Sequence, residues 1–321
     1  MQVIEYYELF GEVIASEIAI PELSKASVAK PRIQVSASAP SIEDVTGFTP
    51  CHDWLDSASR LYARTWQRGR DYRLSFPGRV DFLLRSDGVI AWSSDPTTDP
   101  ATVRQLLLNQ VIPRYLASAG HHILHASLVR LADERAIAFV GSSGRGKSTL
   151  AGYCARRGAR IITDDSLSLR TGLNTATAYG GPAGLRLYPD SLLALGYDPQ
   201  GFAPYQAGSE KRQLQCSPRK SVAARPLDAL FLLGSLESAA VANSISVERA
   251  RGHQAVMDIA ASLFGLAPAD PRFMQSGLRF AGQLVNQGPP VFWLNYPRQH
   301  DWLPALYNVL EELLETPANA D

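Results

Sequence analysis

Cysteine is scarce: Cys51, Cys154 and Cys216 are the three in 321 residues, far apart and with no C-x-x-C spacing. That excludes a disulfide framework and a cysteine-rich zinc site, and predicts a reducing compartment. Net charge is missing too. The 31 Lys and Arg are matched by 31 Asp and Glu, which leaves no footprint for a nucleic-acid polyanion as the main partner. No long uncharged apolar segment is present, and Met1-Gln-Val-Ile-Glu-Tyr-Tyr-Glu8 carries acid where a secretion signal carries base. The expectation is a soluble cytoplasmic protein with no membrane partner. Length is not lacking. A chain of 321 residues is long for one domain and comfortable for two, and it can bury a core without staples.

What is present is a complete G-x-x-x-x-G-K-[ST] phosphate loop, Gly141-Ser142-Ser143-Gly144-Arg145-Gly146-Lys147-Ser148-Thr149. A chain of this length matches that pattern by chance in about 1% of cases at average residue frequencies. Its context is right as well. Ala136–Val140 ahead of it reads as a short buried strand, and Lys147–Arg157 behind it reads as a helix with Leu150 and Cys154 one turn apart. Strand, glycine turn and helix start together aim backbone N–H groups and the positive end of a helix dipole at one point. The anion expected there is the β-phosphate of a nucleotide. Lys147 would neutralise the β/γ oxygens and the Ser148 hydroxyl would ligate Mg²⁺.

Along the chain, the first hundred residues look β-rich. Val3–Ile20 is broken at Gly11 and stopped by Pro21, Tyr72, Leu74 and Phe76 alternate with polar residues, and Asp87-Gly88 sits between two apolar runs as a hairpin signal. Residues 24–50, rich in Ser, Ala and Pro, read as loop with one strand at Arg32–Val35. Thr102–Leu116 reads as a helix that Pro113 kinks or ends. From Ile123 the pattern turns α/β: Ile123–Val129 as one strand, the phosphate-loop strand and helix, Arg160–Thr163, a strand at Ala229–Leu233, a helix at Gln254–Phe264, a strand at Val291–Asn295 and a closing helix at Leu303–Leu314. The domain boundary is placed near Gly120, giving a β-rich domain over 1–120 and a nucleotide-binding domain over 121–321.

Asp164-Asp165 follows the apolar pair Ile161-Ile162 and so falls at the C-terminal end of a strand, the edge where α/β sheets bind ligands. Successive strand residues face opposite ways. One carboxylate can therefore serve Mg²⁺ while the other accepts the proton of an attacking hydroxyl. The bland alternative is an ordinary polar loop.

The stretch from the phosphate loop through Arg157-Gly-Ala-Arg-Ile-Ile-Thr-Asp-Asp165, with Leu124-His125-Ala-Ser-Leu-Val129 before it, resembles the catalytic core of the HPr kinase/phosphorylase family over about residues 121–170. The opening, Tyr7-Glu-Leu-Phe-Gly11 through Ile20-Pro-Glu-Leu23, is similar to HPr-kinase-related proteins associated with peptide natural products, lasso-peptide precursor kinases among them. The resemblance implies an α/β fold with a P-loop kinase core of the HPr kinase/phosphoenolpyruvate carboxykinase type; the smaller β-rich domain read ahead of it has the kind of exposed edges that capture a peptide substrate by strand addition. It implies an ATP- and Mg²⁺-dependent kinase acting on a serine hydroxyl of a peptide or protein. Lys147 would contact phosphates, Ser148 with Asp165 would hold metal, Asp165 or Asp164 would be the general base, and His125 an accessory. A histidine in a strand, taken alone, is more often structural. The sequence departs from the family where an acidic metal ligand is expected, reading Gly180-Gly-Pro-Ala-Gly-Leu-Arg-Leu-Tyr-Pro-Asp190, and where a basic loop is expected, reading Gly208-Ser-Glu-Lys-Arg-Gln213. There Lys211 or Arg212 is the candidate to stabilise the transferred phosphoryl, and a forward kinase without the reverse reaction is expected.

Two other readings stand beside this one. A shikimate- or gluconate-type metabolite kinase has a similar loop, helix and strand, but usually begins with its nucleotide core. A nucleotide-dependent binding protein would form ADP without phosphorylating any hydroxyl. Assembly as a homo-oligomer is left open.

Overall fold

The computed structural model describes residues 4–27, 30–37, 46–56, 58–205, 209–214, 224–234 and 243–315. It is a mixed α/β protein with several sheets. Its described residues divide into two units, one within 1–123 and 264–276, the other within 124–217, 224–263 and 277–315.

In the first unit Phe10 and Gly11, with φ of 56° and 75°, turn β1 (Glu5–Leu9) into β2 (Glu12–Ser16). Two left-handed residues in succession match the twist of an antiparallel pair. β3 (Ile33–Ser36) follows, one residue later than its sequence reading, then β4 (Thr49–Leu55), β5 (Leu61–Arg68), β6 (Asp71–Phe76), β7 (Val80–Leu84) and β8 (Val89–Ser94). They form one sheet in the order β1-β2-β3-β8-β7-β6-β5-β4. The Asp87-Gly88 hairpin joins β7 to β8, and a Cβ on Gly88 (φ 104°) would stand 2.8 Å from the Arg32 carbonyl. Within the loop expected over 24–50, residues 28, 29 and 38–45 lie outside the described residues.

The helix expected at Thr102–Leu116 runs longer and is interrupted differently. α1 (Pro100–Leu106) gives way to one wide turn, Leu107–Val111, and then to α2 (Ile112–Ser118). Asp99 caps the start, its carboxylate accepting from the Thr102 amide at 2.9 Å. The wide turn puts Pro113 in the first turn of α2, where its missing N–H is harmless, so the proline neither ends the run nor breaks it. Leu107, Ile112 and Leu116 pack in the same core as Phe10, Ile14, Ile33 and Phe82.

The second unit is built on β10 (Ala126–Arg130), β11 (Ala136–Val140), β12 (Arg160–Thr163), β18 (Ala229–Leu233), β19 (Ser246–Arg249) and β20 (Val291–Asn295), in sheet order β12-β10-β11-β18-β20-β19. β11 is buried throughout, and α3 (Lys147–Arg156) lays Leu150, Ala151 and Cys154 into the core beside Phe139 and Phe231. The apolar run Ile123–Val129 is not one strand. It splits at His125 into β9 (His122–Leu124) and β10, because the His125 amide donates to the Ser262 carbonyl at 2.7 Å and leaves the ladder. Among the smaller strands, β13 (Leu167–Gly172) and β14 (Thr175–Gly180) make a hairpin flanked by β17 (Arg225–Pro226), and β15 (Leu185–Leu187) pairs with β16 (Arg212–Leu214). The short α4 (Pro189–Ala194), α5 (Gly252–Ala260), α6 (Pro271–Gln287) and α7 (Leu303–Glu315) complete the described helices. α5 starts two residues before its sequence reading and ends four before it, and α6, 17 residues long, has no counterpart there. No helix of the described residues is long and apolar enough to cross a membrane.

Strand directions decide where chemistry collects. β11 runs parallel to β18, and β18 to β20. β10 is antiparallel to both β11 and β12, so β12 runs the same way as β11. The C-terminal ends of β11, β12, β18 and β20, and the N-terminal end of β10, therefore share one edge, the ligand edge of an α/β sheet.

Candidate active site

That edge carries a cleft with about 200 Å³ of room, lined among others by His125, Gly146, Lys147, Ser148, Asp165, Arg186 and Arg298. The turn from β11 to α3 is possible because Gly141, Gly144 and Gly146 take φ of 154°, 81° and 85°, values an L-side chain rarely adopts. Lys147, 4% exposed, folds back over the turn, and its Nζ donates to the Gly141 and Ser142 carbonyls at 2.6 and 2.9 Å. Burial pulls its pKa down to about 8 against the pull of Asp165 and Asp164. Ser143 and Thr149 also line the cleft, whereas Arg145 turns aside to donate to the Leu233 carbonyl at 3.0 Å.

The two aspartates part company. Asp164, 2% exposed, accepts from the Ser127 hydroxyl, from the Ser148 hydroxyl at 3.0 Å and from the Arg186 amide at 3.3 Å. Burial and the neighbouring Asp165 charge raise its pKa nonetheless. Asp165 sits at φ 72°, in a turn held by Thr163, whose hydroxyl donates to the Ser166 carbonyl at 2.8 Å and accepts from the Gly181 amide at 2.9 Å. Its carboxylate pairs with Arg186. Burial opposes that charge, but Arg186, His125, Lys211 and Lys147 outweigh it and hold the pKa at about 2. Ser148 and Asp165, expected to share a metal, are thus not the bonded pair: the hydroxyl of Ser148 meets Asp164.

His125 Nδ1 lies 2.8 Å from the Asp165 carbonyl. A carbonyl only accepts, so Nδ1 carries the proton and Nε2 the lone pair. Burial, with Lys147 next in weight, depresses its pKa to about 4, so the ring is neutral near pH 7. Arg212 is not brought to the cleft. It lies on β16 opposite Leu187, and Lys211, beside it in sequence, lines the cleft instead, its ammonium 5.2 Å from the centre of the Tyr188 ring. Gly208 and Cys216 lie outside the described residues.

Sequence reasoning passed over Ser127, Arg186, Tyr296 and Arg298. Each sits at or just beyond a strand end on the ligand edge or on the antiparallel β15–β16 pair, so the signal was positional and needed the strand order. Among the described residues no cluster of three or more His, Cys, Asp or Glu is placed to hold a metal. What the structure does set side by side is one hydroxyl and one carboxylate oxygen, of Ser148 and Asp164, 3.0 Å apart.

No protein-family profile matches the chain, and no curated protein matches it. Among solved structures it is similar to the HPr(Ser) kinase/phosphatase from Coxiella burnetii, with a TM-score of 0.31 and 13% sequence identity, over 60% of this chain and 97% of that one. A likeness that distant assigns no function.

Proposed function

We propose that this chain is an ATP- and Mg²⁺-dependent phosphotransferase with a P-loop kinase core of the HPr-kinase type, transferring the γ-phosphoryl group to a serine hydroxyl of a peptide or protein. The observation that carries the reading is the convergence of Lys147, the Ser148–Asp164 pair and the Asp165 carboxylate on one edge and one turn. The residues fit the groups. Three left-handed glycines leave those positions of the turn without Cβ atoms, so its amides can close on an anion. Ser148 and Asp164 supply two oxygens 3.0 Å apart, and Asp164 is a buried carboxylate whose charge is costly until a cation offsets it.

Ser148 and Asp164 would hold Mg²⁺, and Lys147 with the turn amides would hold the β/γ-phosphates. When bound, Mg²⁺ supplies charge neutralisation on the phosphate oxygens. Asp165 would accept the hydrogen bond of the serine hydroxyl and take its proton late. A carboxylate with a pKa of about 2 is a weak base, which a loose phosphoryl-transfer transition state tolerates because little proton transfer has occurred at its peak. Neutral His125, anchored to the Asp165 carbonyl, would fix that turn. Arg186 holds the carboxylate in place and would offset charge on the transferred group.

The test is mass spectrometry of candidate serine-bearing peptides after incubation with ATP and Mg²⁺. One added phosphoryl on a serine is expected. ADP formation with no phosphorylated peptide or protein would sink the kinase reading and favour a nucleotide-driven binding protein.

A further inference from the structure

β20 ends at Asn295, and the chain leaves the ligand edge through Tyr296, Pro297 and Arg298. The Arg298 guanidinium lies over the Tyr296 ring, 4.1 Å from its centre. One nitrogen, Nη2, donates to the Gly234 carbonyl at 3.1 Å, at the end of neighbouring β18. The other two, Nε and Nη1, are shut away from solvent and, apart from the Tyr296 hydroxyl, meet no hydrogen-bond acceptor among the described residues. Four other arginines, Arg73, Arg114, Arg212 and Arg225, each leave a buried Nε unsatisfied, but Arg298 alone among the described residues leaves two nitrogens so. It is also the one of the five that lines the cleft. A side chain begun at Gly146 would stand 3.8 Å from Arg298 Nη1 and 3.0 Å from the Tyr296 hydroxyl. The guanidinium is therefore held against the last glycine of the phosphate turn, and no carboxylate among the described residues is paired to it.

Buried donors without acceptors are costly, and charged ones more so. Lys147 has two carbonyl acceptors in the same turn; Arg298 holds donors in reserve. A phosphate chain is the acceptor that suits a fixed, planar fork at this place.

We propose that Arg298 is a phosphate-contacting residue, a second cation set across the Gly146 turn from Lys147 that binds the phosphate chain of the nucleotide. This rests on the nucleotide reading of the cleft. Tyr296 and Gly234 position the fork, the ring from below and the carbonyl from the side, so that little rotamer freedom is lost on binding.

The experiment uses the full chain, Arg298→Met and Arg298→Lys, with ADP and inorganic pyrophosphate as probes, read by calorimetry and by ligand-induced shifts in Tm. Arg298→Met should weaken both probes about tenfold or more, the loss of one charge-assisted contact, with Arg298→Lys recovering part of it. Without ligand, the Tm of Arg298→Met should stay within about 2 °C of the wild type or rise, because the nitrogens it removes are unsatisfied. Unchanged pyrophosphate affinity in Arg298→Met overturns the assignment, and so does a lowered ligand-free Tm with the full ligand-induced shift retained. Wild-type protein that binds neither probe overturns the nucleotide reading itself, and this inference with it.

Discussion

Asp164 and Asp165 are adjacent in the chain and opposite in their electrostatics. Asp164 takes three hydrogen bonds and still has a raised pKa, from burial and from its neighbour's charge, whereas Asp165 is held at about 2 by Arg186, His125, Lys211 and Lys147 against its own burial. A pair whose environments push them apart is the usual basis for dividing roles between two acids. The division suits a buried carboxylate that a cation would relieve and an ionised one left to receive a proton. Asp165→Asn keeps the shape and removes the charge. Phosphoryl transfer is then expected to fall by about 100-fold or more, while ADP affinity stays within a few-fold. The fold must be checked alongside, because the substitution removes the carboxylate charge that faces the half-buried Arg186. Transfer at the wild-type rate, in a variant with wild-type ADP affinity, would remove Asp165 from the chemistry.

Elements with strong local signals were legible in the sequence, and those fixed by tertiary partners were not. Ala136–Val140 and Ala229–Leu233 are strands where their continuous apolar runs place them, since a strand buried on both faces needs no alternation, and Arg160–Thr163 and Val291–Asn295 are strands over the residues read for them. The break at His125 was invisible because the acceptor that diverts its amide, the Ser262 carbonyl, lies 137 positions away in sequence. α6 was missed for another reason. Its exposed polar face hides a sparse inner stripe of Gly277, Phe280, Ala281 and Leu284. A start signal was there to read: Asp270 before Pro271, the cap-then-proline order of a helix N-terminus. In the structure the Asp270 carboxylate accepts from the Arg272 and Phe273 amides at 2.7 and 3.4 Å. Asp270→Ala should therefore cost about 1 kcal/mol of stability, seen as a lower urea midpoint at unchanged m-value. A midpoint equal to the wild type's would show that the cap contributes nothing.

At the scale of the whole molecule, the buried titratable groups make stability depend on pH with opposite signs. His125 departs from the usual histidine, whose pKa rises on gaining a partner. Its folded value is depressed from 6.5 to about 4 by burial and by Lys147. Between those values the unfolded chain binds a proton that the folded chain refuses, so stability rises with pH across the window and is lost as pH falls from about 6.5 toward 4. Asp164 works the other way. With a raised folded pKa, it favours the folded state when protonated and gives up that contribution as pH climbs above its unfolded value of about 3.8. Asp165, depressed to about 2, adds stability that persists until pH drops below 3.8. Where the two windows overlap the His125 and Asp164 effects run in opposite directions, so the wild-type profile alone cannot separate them. His125→Gln can, because glutamine does not titrate and its amide can still donate to the Asp165 carbonyl. The difference in unfolding free energy between wild type and His125→Gln, followed by urea denaturation from pH 7 to pH 4, should fall steadily for the wild type by at most about 3 kcal/mol. Its slope should vanish above pH 7. A difference independent of pH across that range would mean that folding leaves the His125 pKa at its unfolded value. The burial-driven depression of that ring, which keeps it uncharged well below pH 6.5, would then have to be abandoned.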